Sequence, residues 1–264
     1  MEKRRYALRL MYDGGAFRGF QVQPGLATVQ GALDAALASI GVRTRLDVAA
    51  RTDAGVHALD QVVSFWARAD LGPEALRSAV NAATPPALAC LAAARVDPSF
   101  HARGSALSRT YSYLVGAPAP PELEGRAWSL PDVRAFPDVA EPRVDAERMR
   151  EALAFAVGSH DFRGFARPGE QRGTVRTVTR ATVVAAPWAP VVLVELEGRG
   201  FLRAMVRNLV GTAVAVGLGL EPPSLVRELL QTGARYRGVR APGWGLTLTS
   251  VRYEPSPFGV GPNG

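Results

Sequence analysis

Strand-like and helix-like segments alternate along both halves of the chain. The segments with the apolar and polar patterns of strands are 6–12, 43–50, 60–67, 88–96, 108–115, 174–186, 191–198 and 245–253. The segments with apolar residues at helical spacing are 28–41, 72–84, 145–158, 201–217 and 224–233. This order predicts an α+β fold of two similar subdomains, each a mostly antiparallel sheet with helices on one face.

A proline-rich stretch separates the two halves. Residues 116–143 contain many prolines and charged residues and show neither strand nor helix periodicity. We therefore predict an N-terminal subdomain over 1–115, a linker or long crossing segment over 116–143, and a C-terminal subdomain over 144–264. Two sheets that pack close together would leave a cleft between the subdomains.

Basic residues outnumber acidic residues, 31 against 24, which gives a formal net charge of +7. Nearly all of the basic residues are arginine. A codon bias in a GC-rich genome would explain the arginines without any role in function. A phosphate-binding surface would explain them as well, because the planar guanidinium group fits phosphate oxygens. Charge alone therefore leaves nucleic-acid binding open.

The single cysteine, Cys90, excludes an intramolecular disulfide and fits a small core residue in a reducing cytosol. The first residues show no signal-peptide pattern, and no apolar run reaches the roughly 18 residues of a membrane span. We expect a cytoplasmic protein without a membrane partner.

Motifs for metals and cofactors are missing from the sequence. The three histidines, His57, His101 and His160, do not have the spacing of metal ligands. No G-x-S-x-G or Walker motif occurs, and GRGFLR at 198–203 departs from the dinucleotide fingerprint at its third glycine. We therefore expect no metal and no cofactor.

One acidic residue stands out in the stretch AARTDAGVHALDQ, residues 49–61. Asp53 lies between Arg51 and His57 in a bend that contains Gly55. A turn aspartate that bonds its own backbone would explain it. An arginine folded beside Asp53 would instead keep the carboxylate ionised, and a positioned carboxylate can act as a nucleophile or base. The residues alone leave both interpretations open.

Six blocks of sequence resemble the tRNA pseudouridine synthase A family. They are RTDAGVHA, YDGGAFRGFQVQP with TVQGALDAAL, FHARGSALSRTYSYLV, VGSHDFRGF, GRGFLRAMVRNLVGTAVAVG and APGWGLTLTSVRY. The blocks follow the order of the family and span nearly the whole chain except 116–143. Phe20 stands where many relatives carry tryptophan, and it keeps an aromatic ring at that position.

The resemblance implies an isomerase that converts uridine to pseudouridine at positions 38, 39 and 40 of the tRNA anticodon stem-loop. It implies no metal and no organic cofactor, and a homodimer that binds tRNA across both subunits. Asp53 would be the essential carboxylate. It would act either by attack at C1′ of the ribose or by proton removal that gives a glycal, and the sequence does not choose between these routes.

The resemblance also assigns roles to four other residues. Tyr111 would stack on the target uracil, although a core position in a strand would also explain it. Arg207 would pair with Asp53, the alternative being a solvated helix residue. Arg51 would help to displace the base from its stack. Leu246 would close the pocket, and a core strand position is its alternative.

Four further arginines are candidates for phosphate contacts: Arg18, Arg103, Arg109 and Arg203. His57 and Gln61 are expected to organise the loop around Asp53 rather than to transfer protons. Two other classes of function are compatible with the residues. A non-catalytic RNA-binding protein would not need Asp53, and a small-molecule α+β enzyme would act on a pterin or a nucleotide.

Overall fold

The structure is a computed structural model, and it describes residues 2–68, 70–130, 136, 139, 142–169 and 173–259. The strands are β1 (Arg4–Tyr12), β2 (Asp47–Val48), β3 (His57–Ala67), β4 (Leu88–Val96), β5 (Ser108–Gly116), β6 (Trp128–Ser129), β7 (Gly158–Asp161), β8 (Val175–Ala185), β9 (Val191–Gly198) and β10 (Leu246–Arg252). The α-helices are α1 (Val29–Ser39), α2 (Pro73–Ala83), α3 (Ala146–Ala154), α4 (Met205–Gly217) and α5 (Leu225–Thr232).

The described chain forms two compact units. Unit 1 contains the described residues up to Arg109 and those from Leu248 onward, and unit 2 contains the described residues between them. The first boundary lies close to the predicted end of the N-terminal subdomain at residue 115. The closing strand, however, was predicted to belong to the C-terminal subdomain, whereas most of β10 belongs to unit 1.

Unit 1 is built on the strand order β4-β1-β3-β10. Strand β1 pairs antiparallel with both β3 and β4. Helix α1 begins after Thr28, whose hydroxyl accepts a hydrogen bond from the Gly31 N–H at 3.2 Å, and this confirms the predicted helix start. The strand predicted over 43–50 is limited to β2, in which Asp47 and Val48 pair with β3; the Ala49 N–H adds one bond to the Val62 carbonyl at 2.8 Å.

Unit 2 is built on the strand order β5-β9-β8-β7. Strand β8 pairs antiparallel with β7 and β9, so the α+β prediction with mostly antiparallel pairing is confirmed. The predicted cleft between subdomains stays a prediction. Helix α4 was predicted from residue 201 but begins at Met205, because Ala204 has the left-handed φ of 65°. None of the described helices is both long and apolar enough to cross a membrane.

The first part of the proline-rich segment contributes to the core of unit 2. Strand β6 pairs in parallel with the end of β5, and the Trp128 side chain is completely buried. Its ring centroid lies 6.4 Å from that of Tyr113 and 5.9 Å from that of Phe136. Residues 131–135, 137, 138, 140 and 141 of the segment predicted as a linker lie outside the described residues.

Candidate active site

Asp53 lies in the tight loop that connects β2 to β3. Its side chain is partly buried, whereas Arg51 is exposed. The Val56 N–H donates to the Asp53 carbonyl at 3.2 Å, and Gly55 adopts the positive φ of 78°. The bend predicted at Gly55 is therefore present, and a glycine is the residue that adopts this backbone without strain.

The segment that follows β1 holds this loop by close backbone contact. The Phe20 N–H donates to the Thr52 carbonyl at 3.0 Å. A Cβ atom at Gly14 would lie 2.2 Å from the Val56 carbonyl oxygen. Gly19 has a φ of 98°, and a Cβ there would lie 3.2 Å from the Thr52 carbonyl oxygen. Both glycines let the two backbones approach, so the position of the loop depends on them.

We expect Gly14→Ala to lower the free energy of unfolding by about 2–3 kcal/mol and the single-turnover rate about tenfold. The added methyl group cannot fit against the Val56 carbonyl oxygen, so the loop with Asp53 must move. Urea unfolding and single-turnover pseudouridine formation measure the two effects. Gly72→Ala is the matched control, because its Cβ would meet nothing closer than 4.0 Å. Equal behaviour of the two variants would contradict this role of Gly14.

A buried polar network fixes the residue that precedes Asp53. The Gln61 amide is completely buried. Its Nε2 donates to the Ala50 carbonyl at 2.7 Å and to the Tyr12 hydroxyl at 3.2 Å, and its Oε1 accepts from the Ala50 N–H at 3.2 Å. The Tyr12 hydroxyl lies 2.8 Å from the Thr52 hydroxyl. Because the Tyr12 oxygen accepts from Gln61, its proton is available to donate to Thr52.

His57 joins the same arrangement from the first position of β3. The imidazole is buried, and its Nδ1 accepts a hydrogen bond from the Gly14 N–H at 3.1 Å. The Asp13 carboxylate lies 3.2 Å from the same nitrogen. The contacts place His57 and Gln61 around the loop, as the sequence analysis expected.

Burial raises the pKa of Tyr12 to about 12, although the hydrogen bonds with Thr52 and Gln61 counteract the shift. Because the folded protein keeps this proton more tightly than the unfolded chain, the stabilisation is complete below pH 10. It is lost as the pH rises from about 10 to about 12. We expect urea unfolding midpoints of the wild type to fall more steeply over this range than those of Tyr12→Phe. Parallel pH profiles would contradict the assignment to Tyr12.

Two predicted site residues of unit 2 are buried. Tyr111 lies on β5 with 8% of its surface exposed, and its ring meets that of Phe201 edge to face at 5.4 Å. Leu246 is the first residue of β10 and is 4% exposed. Burial of this degree agrees with a pocket wall and with a core position, so both interpretations remain compatible with the geometry.

Arg207 lies in the first turn of α4 and is partly buried. Its Nε donates to the Ala241 carbonyl at 2.7 Å, and the Ala241 N–H donates to the Arg207 carbonyl at 3.2 Å. The Tyr113 hydroxyl donates to the next carbonyl, that of Pro242, at 2.9 Å. Burial raises the pKa of Tyr113, and the nearby charge of Arg207 partly offsets this. The hydrogen bond from Nε to the Ala241 carbonyl thus fixes the orientation of the Arg207 guanidinium group.

The predicted arginines differ in their surroundings. The exposed ones are Arg18, Arg51, Arg103 and Arg203. Arg109 is only 6% exposed, and its Nη2 donates to the Ala49 carbonyl at 3.0 Å and to the Arg103 carbonyl at 2.7 Å. These main-chain acceptors engage the guanidinium group inside unit 1. The Arg109 guanidinium group thus braces the chain before the Asp53 loop, and its predicted phosphate contact stays a prediction.

The site residues divide between the two units. Those in unit 1 are Asp53, Arg51, Arg18, Arg103 and Arg109, and those in unit 2 are Tyr111, Arg203, Arg207 and Leu246. The predicted pairing of Asp53 with Arg207 stays a prediction. Sequence reasoning did not assign roles to Tyr12, Thr52 or Gly14. The available signal was their position in the blocks YDGGAFRGF and RTDAGVHA, since a block of this kind includes residues that support the reacting group.

No group of three or more histidine, cysteine or acidic side chains within the described residues is placed to hold a metal ion. His101 lies 3.4 Å from the Asp47 carboxylate, and a ring nitrogen of His160 lies 3.0 Å from the Val157 carbonyl oxygen. Cys90 is buried, and burial raises the pKa of its thiol to about 12. The thiol is thus a core group with little nucleophilic character at neutral pH.

Comparisons with known proteins agree with the blocks found in the sequence. A family described as tRNA pseudouridine synthase matches residues 152–254. The tRNA pseudouridine synthase A of Frankia casuarinae is 40% identical over 257 residues, which cover 96% of this chain and 90% of that protein. That of Pseudothermotoga lettingae is 38% identical and covers 95% of this chain and 100% of that protein. That of Cereibacter sphaeroides (strain KD131) is 40% identical, over 96% of this chain and 99% of that protein.

A more distant likeness exists among solved structures. The crystal structure of a Cbf5-Nop10-Gar1 complex aligns with a TM-score of 0.38 and 11% identity, over 92% of this chain and 48% of that chain. This likeness is too weak to carry an argument. The identity with the curated relatives extends over nearly the whole of each chain, and on that ground the chain belongs to the tRNA pseudouridine synthase A family.

Proposed function

We propose that this tRNA pseudouridine synthase acts on uridines 38, 39 and 40 of the anticodon stem-loop, with Asp53 as the essential carboxylate. The observation that carries the proposal is the loop of Asp53 itself. A partly buried carboxylate stands in a tight turn, and buried polar groups on either side hold that turn. A binding protein would have no need to position a carboxylate so firmly.

The reaction exchanges one bond of the nucleotide for another. The bond between ribose C1′ and uracil N1 breaks, the uracil turns, and a bond between C1′ and C5 forms. The proton of C5 then leaves and N1 gains a proton, so the reaction needs neither an oxidant nor a second substrate. Asp53 would start it either as a nucleophile at C1′ or as a base that yields a glycal.

The other residues have supporting roles in this proposal. Stacking of the uracil on Tyr111 would contribute about 1–3 kcal/mol. Arg51, exposed beside Asp53, would stabilise the displaced nucleotide and so offset the few kcal/mol that unstacking requires. Arg207 would hold Asp53 in its charged form, and Leu246 would exclude water from the reacting base. Arg18, Arg103 and Arg203 would contact phosphates.

The proposed enzyme works in the cytoplasm as a homodimer that binds one tRNA across both subunits. The support is the resemblance of its sequence blocks to the family. Light scattering of the purified protein, alone and with tRNA, would test it. A monomer in both samples would contradict the dimer and leave the chemistry of Asp53 untouched.

The experiment uses tRNA transcripts labelled with tritium at C5 of uridine, because pseudouridine formation releases that tritium. Three transcripts each keep a single uridine at position 38, 39 or 40, and a fourth has none at these positions. We expect release from the first three and none from the fourth. Tritium release from the fourth transcript would show that the enzyme modifies a uridine elsewhere in the tRNA. Binding without release from any transcript would favour the RNA-binding alternative.

A further inference from the structure

A second cluster of arginines surrounds a pocket of unit 2. Arg167, Arg235, Arg237 and Arg240 line a pocket of ≈ 550 Å³, together with Asn208 and Tyr236. No acidic residue is among the described residues that line it. We call this feature the arginine pocket. None of its four arginines belongs to the residues that the proposed reaction uses.

The arginines of the pocket have no ion-pair partner among the described acidic side chains. All four arginines are exposed, and none of them forms an ion pair with a described acidic side chain. Other arginines of the same unit do so, since Arg163 contacts Asp161 and Arg150 contacts Glu147. Four like charges around one pocket repel each other, and a bound anion would relieve the repulsion.

A second basic pocket, in unit 1, provides a contrast. It is lined by Lys3, Arg43, Arg45 and Arg68, but also by Asp47. The Asp47 carboxylate accepts a hydrogen bond from Arg5 at 2.8 Å. An acidic group of the protein therefore already neutralises part of the positive charge of that pocket. The arginine pocket of unit 2 is therefore the stronger candidate for an external anion.

The walls of the arginine pocket are packed closely. A Cβ at Gly164 would lie 2.3 Å from the Ala234 carbonyl oxygen, so the two chain segments that carry Arg167 and Arg235 touch through backbone. Asn208 forms a third side from the first turn of α4, and its Nδ2 donates to the Phe165 carbonyl at 2.7 Å. Arg235, Arg237 and Arg240 lie in the segment between α5 and β10, and Arg167 lies in the segment between β7 and β8, so two segments and α4 line the pocket.

The hydroxyl of Tyr236 adds a neutral donor to this frame. Burial raises the pKa of Tyr236 to about 12, and Glu221 acts in the same direction. The hydroxyl therefore keeps its proton at neutral pH. The four guanidinium groups only donate, and the Asn208 amide and the Tyr236 phenol can donate as well, so the lining side chains suit a ligand that presents acceptor oxygens.

We propose that the arginine pocket binds a backbone phosphate of the tRNA. This inference rests on the proposed function, because that function supplies the RNA. Asn208 directly follows Arg207 along α4, so the bound phosphate belongs to nucleotides close to the target uridine. The pocket fixes the path of the strand and takes no part in bond breaking.

The first test measures tRNA affinity against salt concentration. Arg235→Gln/Arg237→Gln is the test variant; Arg240 is left intact because the next residue, Ala241, orients Arg207. We expect binding about tenfold weaker at moderate salt, and a slope of log K against log salt smaller by about one. The control is Arg95→Gln/Arg252→Gln, which removes the same charge from exposed positions of unit 1. An equal loss in the control would overturn the proposal.

The second test identifies the phosphate by ethylation interference. Ethylation of a contacted phosphate removes its charge, so it should weaken wild-type binding at one or two positions near the anticodon stem. The Arg235→Gln/Arg237→Gln variant should lose that sensitivity at the same positions, because it no longer makes the contact. Identical interference patterns for the two proteins would overturn the proposal. Millimolar inorganic phosphate that displaces tRNA equally from the wild type and from the variant would also overturn the proposal.

The two tests read binding, whereas the proposed function is read by tritium release. Release by the wild type together with unchanged affinity of the pocket variant would refute the arginine pocket alone. Absence of release by the wild type would refute the proposed function, whatever the affinities show. Thermal unfolding of both double variants should match the wild type, since all four substituted arginines are exposed.

Discussion

Asp53→Asn is expected to reduce single-turnover tritium release by about four orders of magnitude or more, because the amide has neither the charge nor the basicity of the carboxylate. The side chain keeps its shape, so the turn closed by Gly55 should persist. Affinity for tRNA should stay within about threefold of the wild type, since phosphate contacts dominate affinity. A filter-binding assay and the tritium assay measure the two quantities on one preparation.

Asp34→Asn is the matched control for this substitution. Asp34 is also a partly buried aspartate of unit 1, on α1, and burial raises the pKa of its carboxyl. The control should release tritium at the wild-type rate. Activity of Asp53→Asn within tenfold of this control would remove Asp53 from the centre of the reaction.

Arg207→Ala is the second large effect that we expect. If Arg207 holds Asp53 in its charged form, its loss should lower the turnover number by about two to three orders of magnitude with little change in the KM for tRNA. The substitution also removes the bond of Nε to the Ala241 carbonyl. We therefore expect a decrease in unfolding free energy of about 1–3 kcal/mol.

The stability loss and the rate loss can be separated by two further variants. Arg207→Lys keeps a charge but not the Nε–H that donates to the Ala241 carbonyl, and it should recover stability and rate only in part. Arg227→Ala removes an exposed guanidinium group that lies 5.0 Å from the Phe155 ring centroid on the same unit. It should leave turnover unchanged. Wild-type turnover in Arg207→Ala would contradict the proposed role.

Local pattern was enough to predict most elements of the fold. Helix α1 follows from Thr28 and the apolar spacing after it, and β4 has the predicted bounds of 88–96. The start of α4 could not be predicted, because nothing in the amino-acid sequence shows that Ala204 adopts a left-handed backbone conformation. Strand β7 was missed as well, since four residues are too few for a periodic pattern.

Some features of the candidate site could likewise be predicted from the sequence, and others could not. The loop of Asp53 is evident in the sequence because its residues are contiguous. The bond of Gln61 to Tyr12 is not evident, since it joins residues that are 49 positions apart in the chain. The bonds of Arg109 to the Ala49 and Arg103 carbonyls are a second example, because no periodic pattern in the sequence shows them. Tertiary contacts decide such roles, and periodicity carries no information on them.

The path of the chain through unit 1 has a consequence for its biosynthesis. Asp60 on β3 accepts from Arg9 at 2.8 Å and from the Val251 N–H at 2.9 Å. Arg9 and Asp60 leave the ribosome early, whereas Val251 follows only after all of unit 2 has been made. Unit 2 is continuous and can complete its contacts during synthesis. Unit 1, which carries Asp53, must wait for β10, so it completes its sheet only at the end of translation.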